Sequence, residues 1–187
     1  MPMNRLLLIP LLTACGGGVT LDDTSDPTGV TDDTSTPGTF PDAPELVVNE
    51  FMASNASTIA DASGAYPDWI ELYNPGTEAV DLEGWGLTDD LEALDKYIFP
   101  ASASIAAGGY LLVWADGDVD QEGNHTSWNL DKNGEQIGLA ASAEYGSVLV
   151  DALEYESQAT DISMARMPDG SNTWEADTTP TPRATNE

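Results

Sequence analysis

Residues 68–87, D-W-I-E-L-Y-N-P-G-T-E-A-V-D-L-E-G-W-G-L, constrain the fold more than any other stretch. In an extended strand Ile70 and Leu72 fall on one face, and Trp69, Glu71 and Tyr73 on the other. Apolar groups on both faces predict an inner strand, in which Glu71 needs a partner or solvent. Asn74, Pro75 and Gly76 break that strand: Pro75 presets φ, and Gly76 accepts a positive φ. Val80 and Leu82 alternate with Asp81 and Glu83, which reads as a return strand after a tight turn. Gly84 and Gly86 flank Trp85 and let backbone approach a large ring. Trp69, Trp85 and Trp114 are assigned to the core, where a buried large apolar side chain contributes roughly 1.5–3 kcal/mol. A second strand pair, 97–100 and 109–115, is expected to supply what these strands pack on.

The same rhythm continues on both sides. Residues 46–52 read as a first strand and 53–67 as a polar loop. Asp89, Asp90, Glu92 and Asp95 form an acidic loop. Gly108 and Gly109 make a turn before the apolar run 110–115. Residues 126–130 read as a short strand leading into Asn133-Gly134, the strongest hairpin-turn dipeptide in the chain. Strands are expected at 136–140, 147–155 and 162–167, with a loose Thr/Pro-rich tail from Thr178. No helical period is sustained, and short strands recur about every ten residues with turn signals between. That pattern argues an all-β sandwich or barrel in one domain, residues 46–187.

The N-terminus gives an address. Residues 1–5 carry one positive charge and 6–12 form an apolar run too short for a membrane-spanning helix, which needs ~20 residues. L-T-A-C at 12–15 resembles the lipobox of bacterial lipoprotein signals. The resemblance implies a signal peptide at 1–14, lipid on Cys15, and an exported protein at the outer membrane or cell surface, because Gly16 replaces the Asp of inner-membrane retention. Cys15 is the single cysteine, so no disulfide braces the domain. Residues 16–45 hold seven acidic residues and no basic one. Such a segment cannot bury enough apolar surface to order itself and reads as a disordered acidic tether, residues 15–45 including the lipidated cysteine.

The ordered set W-I-E-L-Y-N-P-G-T-E-A-V-D-L-E-G-W-G-L, Y-I-F-P…I-A-A-G-G-Y-L-L-V-W-A, L-D-K-N-G-E-Q-I-G-L and R-M-P-D-G-S…W…T-T-P-T-P resembles a lamin-tail domain of the bacterial type. The resemblance spans nearly all of residues 46–186. It implies an immunoglobulin-like β-sandwich in an exported binding or anchoring module, with no catalytic residues to carry over.

Chemistry-bearing residues are few. Asp116, Asp118, Asp120 and Glu122 place carboxylates at every second position, a pattern suited to a weak calcium site, which Asp89 and Asp90 could complete. It is not an EF-hand: the sixth residue is Gln121 and the twelfth Ser127. His125 is the only histidine, so a His-based metal cluster is excluded, and no G-x-S-x-G elbow accompanies it. Glu50 and Glu71 are the one carboxylate pair to weigh for glycosidase-like hydrolysis. The net charge of −28, with five basic residues, opposes binding to nucleic acid, which depends on Lys and Arg neutralising phosphates. The expected role is a non-catalytic, lipid-anchored cell-envelope protein for binding, adhesion or scaffolding. Its partners would be the membrane, through Cys15, and a protein or carbohydrate of unknown identity. The alternatives are a small carboxylate-dependent extracellular hydrolase and a self-associating structural component.

Overall fold

The computed structural model describes residues 41–186 and the backbone of Leu7–Leu8. The rest of the expected signal peptide, Cys15 and the expected tether up to Phe40 lie outside the described residues. The elements in chain order are β1 (Leu7–Leu8), β2 (Val47–Met52), β3 (Asp68–Tyr73), β4 (Val80–Asp81), β5 (Gly86–Thr88), β6 (Tyr97–Ile98), β7 (Ser104–Ile105), β8 (Tyr110–Ala115), β9 (Gly134–Ala140), β10 (Leu149–Glu156), β11 (Ser163–Arg166) and β12 (Trp174–Asp177). A single turn of 3₁₀-helix, Ala143–Tyr145, joins β9 to β10. Among the described residues there is no α-helix, and no helix is long and apolar enough to cross a membrane.

Two five-stranded antiparallel sheets form the sandwich, ordered β1-β10-β9-β5-β6 and β12-β11-β2-β3-β8, with β4 and β7 as a separate pair. The all-β, immunoglobulin-like expectation holds. β3 is an inner strand, flanked by β8 in unbroken register and by β2 with one bulge between Val48 and Glu50. Ile70, Leu72, Val48, Phe51 and Val113 point into the space between the sheets, where Trp85, Leu87, Phe99, Ile137, Leu139 and Leu153 meet them. Met52, Trp69, Leu112 and Trp114 form a smaller cluster on the outer face of the second sheet, closed by Ile59. The three tryptophans are therefore all buried but serve two cores: Trp85 lies between the sheets, Trp69 and Trp114 outside one of them.

Several pairings differ from the sequence reading. Asn74, Pro75 and Gly76 do not close a hairpin, because β4 pairs with β7 rather than β3. The buried Asn74 explains the departure. Its amide donates to the carbonyls of Glu78 (2.8 Å), Ile105 (3.2 Å) and Ala106 (3.1 Å), and its Oδ1 accepts from Gly76 N–H (2.9 Å). These bonds fasten the end of β3 to the turn before β8 and send the chain outward. Residues 97–100 and 109–115 are not partners either: β6 joins β5 in one sheet and β8 joins β3 in the other. Residues 126–130 form no strand; the segment is held by isolated bridges, Trp114 to His125 and Asp116 to Asn129. Asn133 and Gly134 therefore make a turn that starts β9 rather than a two-strand hairpin. The sequence reading missed β12 altogether.

The C-terminal segment is ordered. Asn186 is buried. Its N–H donates to Asp169 Oδ1 (3.1 Å) and its amide donates to the Arg166 carbonyl (3.0 Å). Thr181 Oγ1 donates to Asn186 Oδ1 (2.8 Å). A Thr/Pro-rich composition signals irregular backbone, and irregular backbone packs when buried acceptors wait for its N–H groups.

Candidate functional site

Two clusters of polar side chains stand out. The first lies on the outer face of the β12-β11-β2-β3-β8 sheet. Glu50 and Glu71 are directly opposite in the β2–β3 ladder, and a bulge places Asn49 as the extra residue beside them. Both carboxyls are fully buried. Glu50 Oε1 accepts from Ser163 Oγ (2.5 Å) and Thr181 N (3.4 Å), while its Oε2 has no hydrogen-bond partner. Glu71 accepts from Asn49 Nδ2 (3.4 Å) and from the N–H of Arg183, whose left-handed φ of 67° turns that N–H inward. Asn49 Nδ2 also donates to Asp169 Oδ1 (2.9 Å), whose other oxygen accepts from Tyr110 OH (2.6 Å). Burial pushes Glu50 up to about 7 and Glu71 up to about 8, and the neighbouring carboxylates add to both shifts. The segment 178–186 covers the pair, so the two glutamates do not face each other across an open cleft as a glycosidase pair would.

The second cluster is at the loop after β8. Asp116 Oδ2 is 2.7 Å from His125 Nδ1, and its Oδ1 accepts from Asp118 N (3.1 Å). Asp118 Oδ2 accepts from Gln121 Nε2 (3.1 Å). Asp116, Asp118 and Gln121 share a shallow pocket of about 320 Å³ with Asp61, Tyr66 and Asn129. Asp120 is exposed, and Glu122 lines a different depression beside Arg183. The alternation of Asp116, Asp118, Asp120 and Glu122 therefore does not bring four carboxylates together; the loop turns at Gly117 (φ 74°) and splits them. Asp89 pairs with Lys96 and neither it nor Asp90 lines this pocket. Among the described residues, no three His, Cys, Asp or Glu side chains stand close enough to hold a metal ion unaided. Sequence reasoning missed Asp61, which reads as an ordinary loop residue. Its Oδ1 accepts from Ser63 N (2.8 Å), Ser63 Oγ (2.8 Å) and Ala65 N (3.0 Å), and these bonds, the Ser63 hydroxyl first, hold its carboxyl below the usual range. The D-x-S-G-A run at 61–65 was the available signal, since Asp two residues before Ser or Gly folds back on its own loop.

Two antiparallel sheets packed face to face around a filled apolar interior define an immunoglobulin-like β-sandwich. The lamin tail domain family matches residues 40–157, and the chain belongs to that family. The match ends at the close of β10, short of β11, β12 and the C-terminal segment. No curated protein matches the chain.

Proposed function

We propose that this protein is a non-catalytic, lipid-anchored cell-envelope protein of bacterial type that presents one lamin tail domain for binding or anchoring. The single observation that carries the reading is the order of parts: a short apolar run ending in L-T-A-C, an acidic spacer, then a lamin tail sandwich. The family is an immunoglobulin-like, non-enzymatic one. The carboxylate pair weighed for hydrolysis lies under the chain's own C-terminal segment, and a substrate would have to displace that segment to reach it. The partner, a protein or carbohydrate, would be met by the loops or by a free sheet edge. β10 supplies such an edge in the processed chain: its outer side pairs with Leu7–Leu8 in antiparallel register, and cleavage before Cys15 takes that partner away.

The anchor is tested in a bacterial host by labelling with palmitate. The wild-type chain takes up label and partitions into the detergent phase. Cys15→Ala takes up none and stays in the aqueous phase. Label retained in Cys15→Ala overturns the anchor.

A further inference from the structure

We propose that β8 is a docking edge for an extended, basic segment of a partner polypeptide, which adds to the sheet as a short strand at Leu112. The proposal rests on the reading of this domain as a binding module, and it stands whether or not Cys15 carries lipid. Trp114 N–H donates to the Asn124 carbonyl (2.8 Å), and the Trp114 carbonyl accepts from Thr126 N–H (2.9 Å), so Trp114 turns its backbone groups away from β3. β8 pairs with β3 without a bulge, and in an antiparallel ladder alternate residues turn the same way. Leu112 therefore points its N–H and C=O off the same edge, where no described residue bonds them. Leu112 is only 5 % exposed. A donor and an acceptor so placed are poorly hydrated, and an added strand satisfies both at once.

Leu112 stands at a notch of about 460 Å³. Trp114 lines it from β8, Asp61 and Ala62 from the loop between β2 and β3, Glu122 from the loop after β8, and Arg183 from the C-terminal segment. The outward groups of Trp114 are already taken, so an added strand stops before it and the occupant is short. The walls set the charge of that occupant. Two carboxylates and one guanidinium line the notch, Glu122 is exposed, and the whole chain carries −28. A segment bearing Lys or Arg is drawn to such a surface, and an acidic one is repelled. A second copy of this chain brings the same large negative charge and is repelled likewise. Arg183 forms no ion pair among the described residues, which leaves its donors for the carbonyls of the added strand.

The test uses the full chain in detergent and a capped peptide of alternating Lys and Val, read by amide hydrogen exchange and by titration. In the free protein the Leu112 amide exchanges faster than those of Leu111 and Val113, which turn toward β3. The peptide slows exchange at Leu112, and its binding weakens as salt is added. Ala62→Trp, at an exposed loop position, fills the notch and abolishes binding. Glu122→Gln weakens binding roughly fivefold, as loss of a rim charge does, while the exposed Glu83→Gln, outside the notch, binds as wild type. Two control peptides fail to bind: one with Glu in place of Lys, and one with N-methylated backbone amides, which keeps the charge and loses the donors. Equal binding of either control overturns the inference, as does binding that survives Ala62→Trp, an unchanged Leu112 amide in peptide excess, or no binding at all. Each of these leaves the binding-module reading standing at another surface. Cleavage of the peptide, read by mass, would instead overturn that reading.

Discussion

Glu50 and Glu71 sit opposite each other in adjacent strands, and among the described residues neither forms an ion pair. Their protonation therefore sets how stability follows pH. In the unfolded chain both lose their protons near 4.5; in the folded protein they hold them until about 7 and about 8. The folded state binds more protons across that window, so stability falls as pH rises from about 4.5 to about 8, by up to about 1.4 kcal/mol per pH unit for each group. The carboxyls with lowered values, Asp61, Asp131 and Asp161, act with the opposite sign and only in more acid solution. Melting curves are thus expected to reach higher temperatures at pH 5.5 than at pH 8.5. Glu71→Gln, neutral at every pH, should melt above wild type at pH 8.5 and flatten the slope; an unchanged slope would mean the pair is hydrated. Gly86 is a second sensitive residue. A Cβ there would overlap the Leu94 carbonyl oxygen, which is backbone and cannot swing aside. Gly86→Ala is expected to destabilise by roughly 2 kcal/mol or more, read from the denaturant midpoint.

At the scale of elements, a charged link ties the two sheets. Arg166 of β11 bonds both oxygens of Asp151 of β10 (3.0 and 2.9 Å) and donates through Nε to the Val48 carbonyl (2.7 Å). Val48 N–H returns a bond to Asp151 Oδ2 (2.8 Å), and the guanidinium lies 4.7 Å from the Trp174 ring centre. Arg166→Ala leaves Asp151 uncompensated and is expected to cost about 3–5 kcal/mol in equilibrium unfolding; a change under about 1 kcal/mol would show the link to be dispensable. The C-terminal segment is the other tie. Ending the chain at Asp177 removes the N–H groups of Thr181, Arg183 and Asn186 from three carboxylates. It should lower the melting temperature at pH 5.5 and, by hydrating Glu50 and Glu71, abolish most of the pH slope. Strand positions were legible because alternation and turn residues are local. The identity of strand partners was not. Asn74 reads locally as the start of a hairpin turn, yet its amide bonds to carbonyls about thirty residues away decide the crossover. The tail's order was hidden for the same reason: Thr and Pro announce irregular backbone, while the acceptors that order it come from β2, β3 and the β11–β12 turn. At the loop after β8 the sequence exposed Asp116 and Asp118, and long-range packing brought Asp61 beside them.

At the scale of the whole molecule, the fold has a filled apolar interior and exposed loops, on a chain of net charge −28. Strong like charge keeps such a domain soluble and separate from anionic surfaces, and it favours contacts that a divalent cation can bridge. The lamin tail family match covers 40–157; β11 and β12 extend one sheet beyond it, and residues 178–186 cover that sheet's outer face over Glu50 and Glu71. On the proposed reading, the acidic residues 16–45 would hold this module away from a membrane. The most direct test is brief protease treatment of intact bacterial cells expressing the full chain, with the released material identified by mass. Surface display predicts cleavage within 16–45 and release of a folded lamin tail fragment into the medium while cytoplasmic markers stay intact. Protection of the chain until the envelope is opened would contradict it.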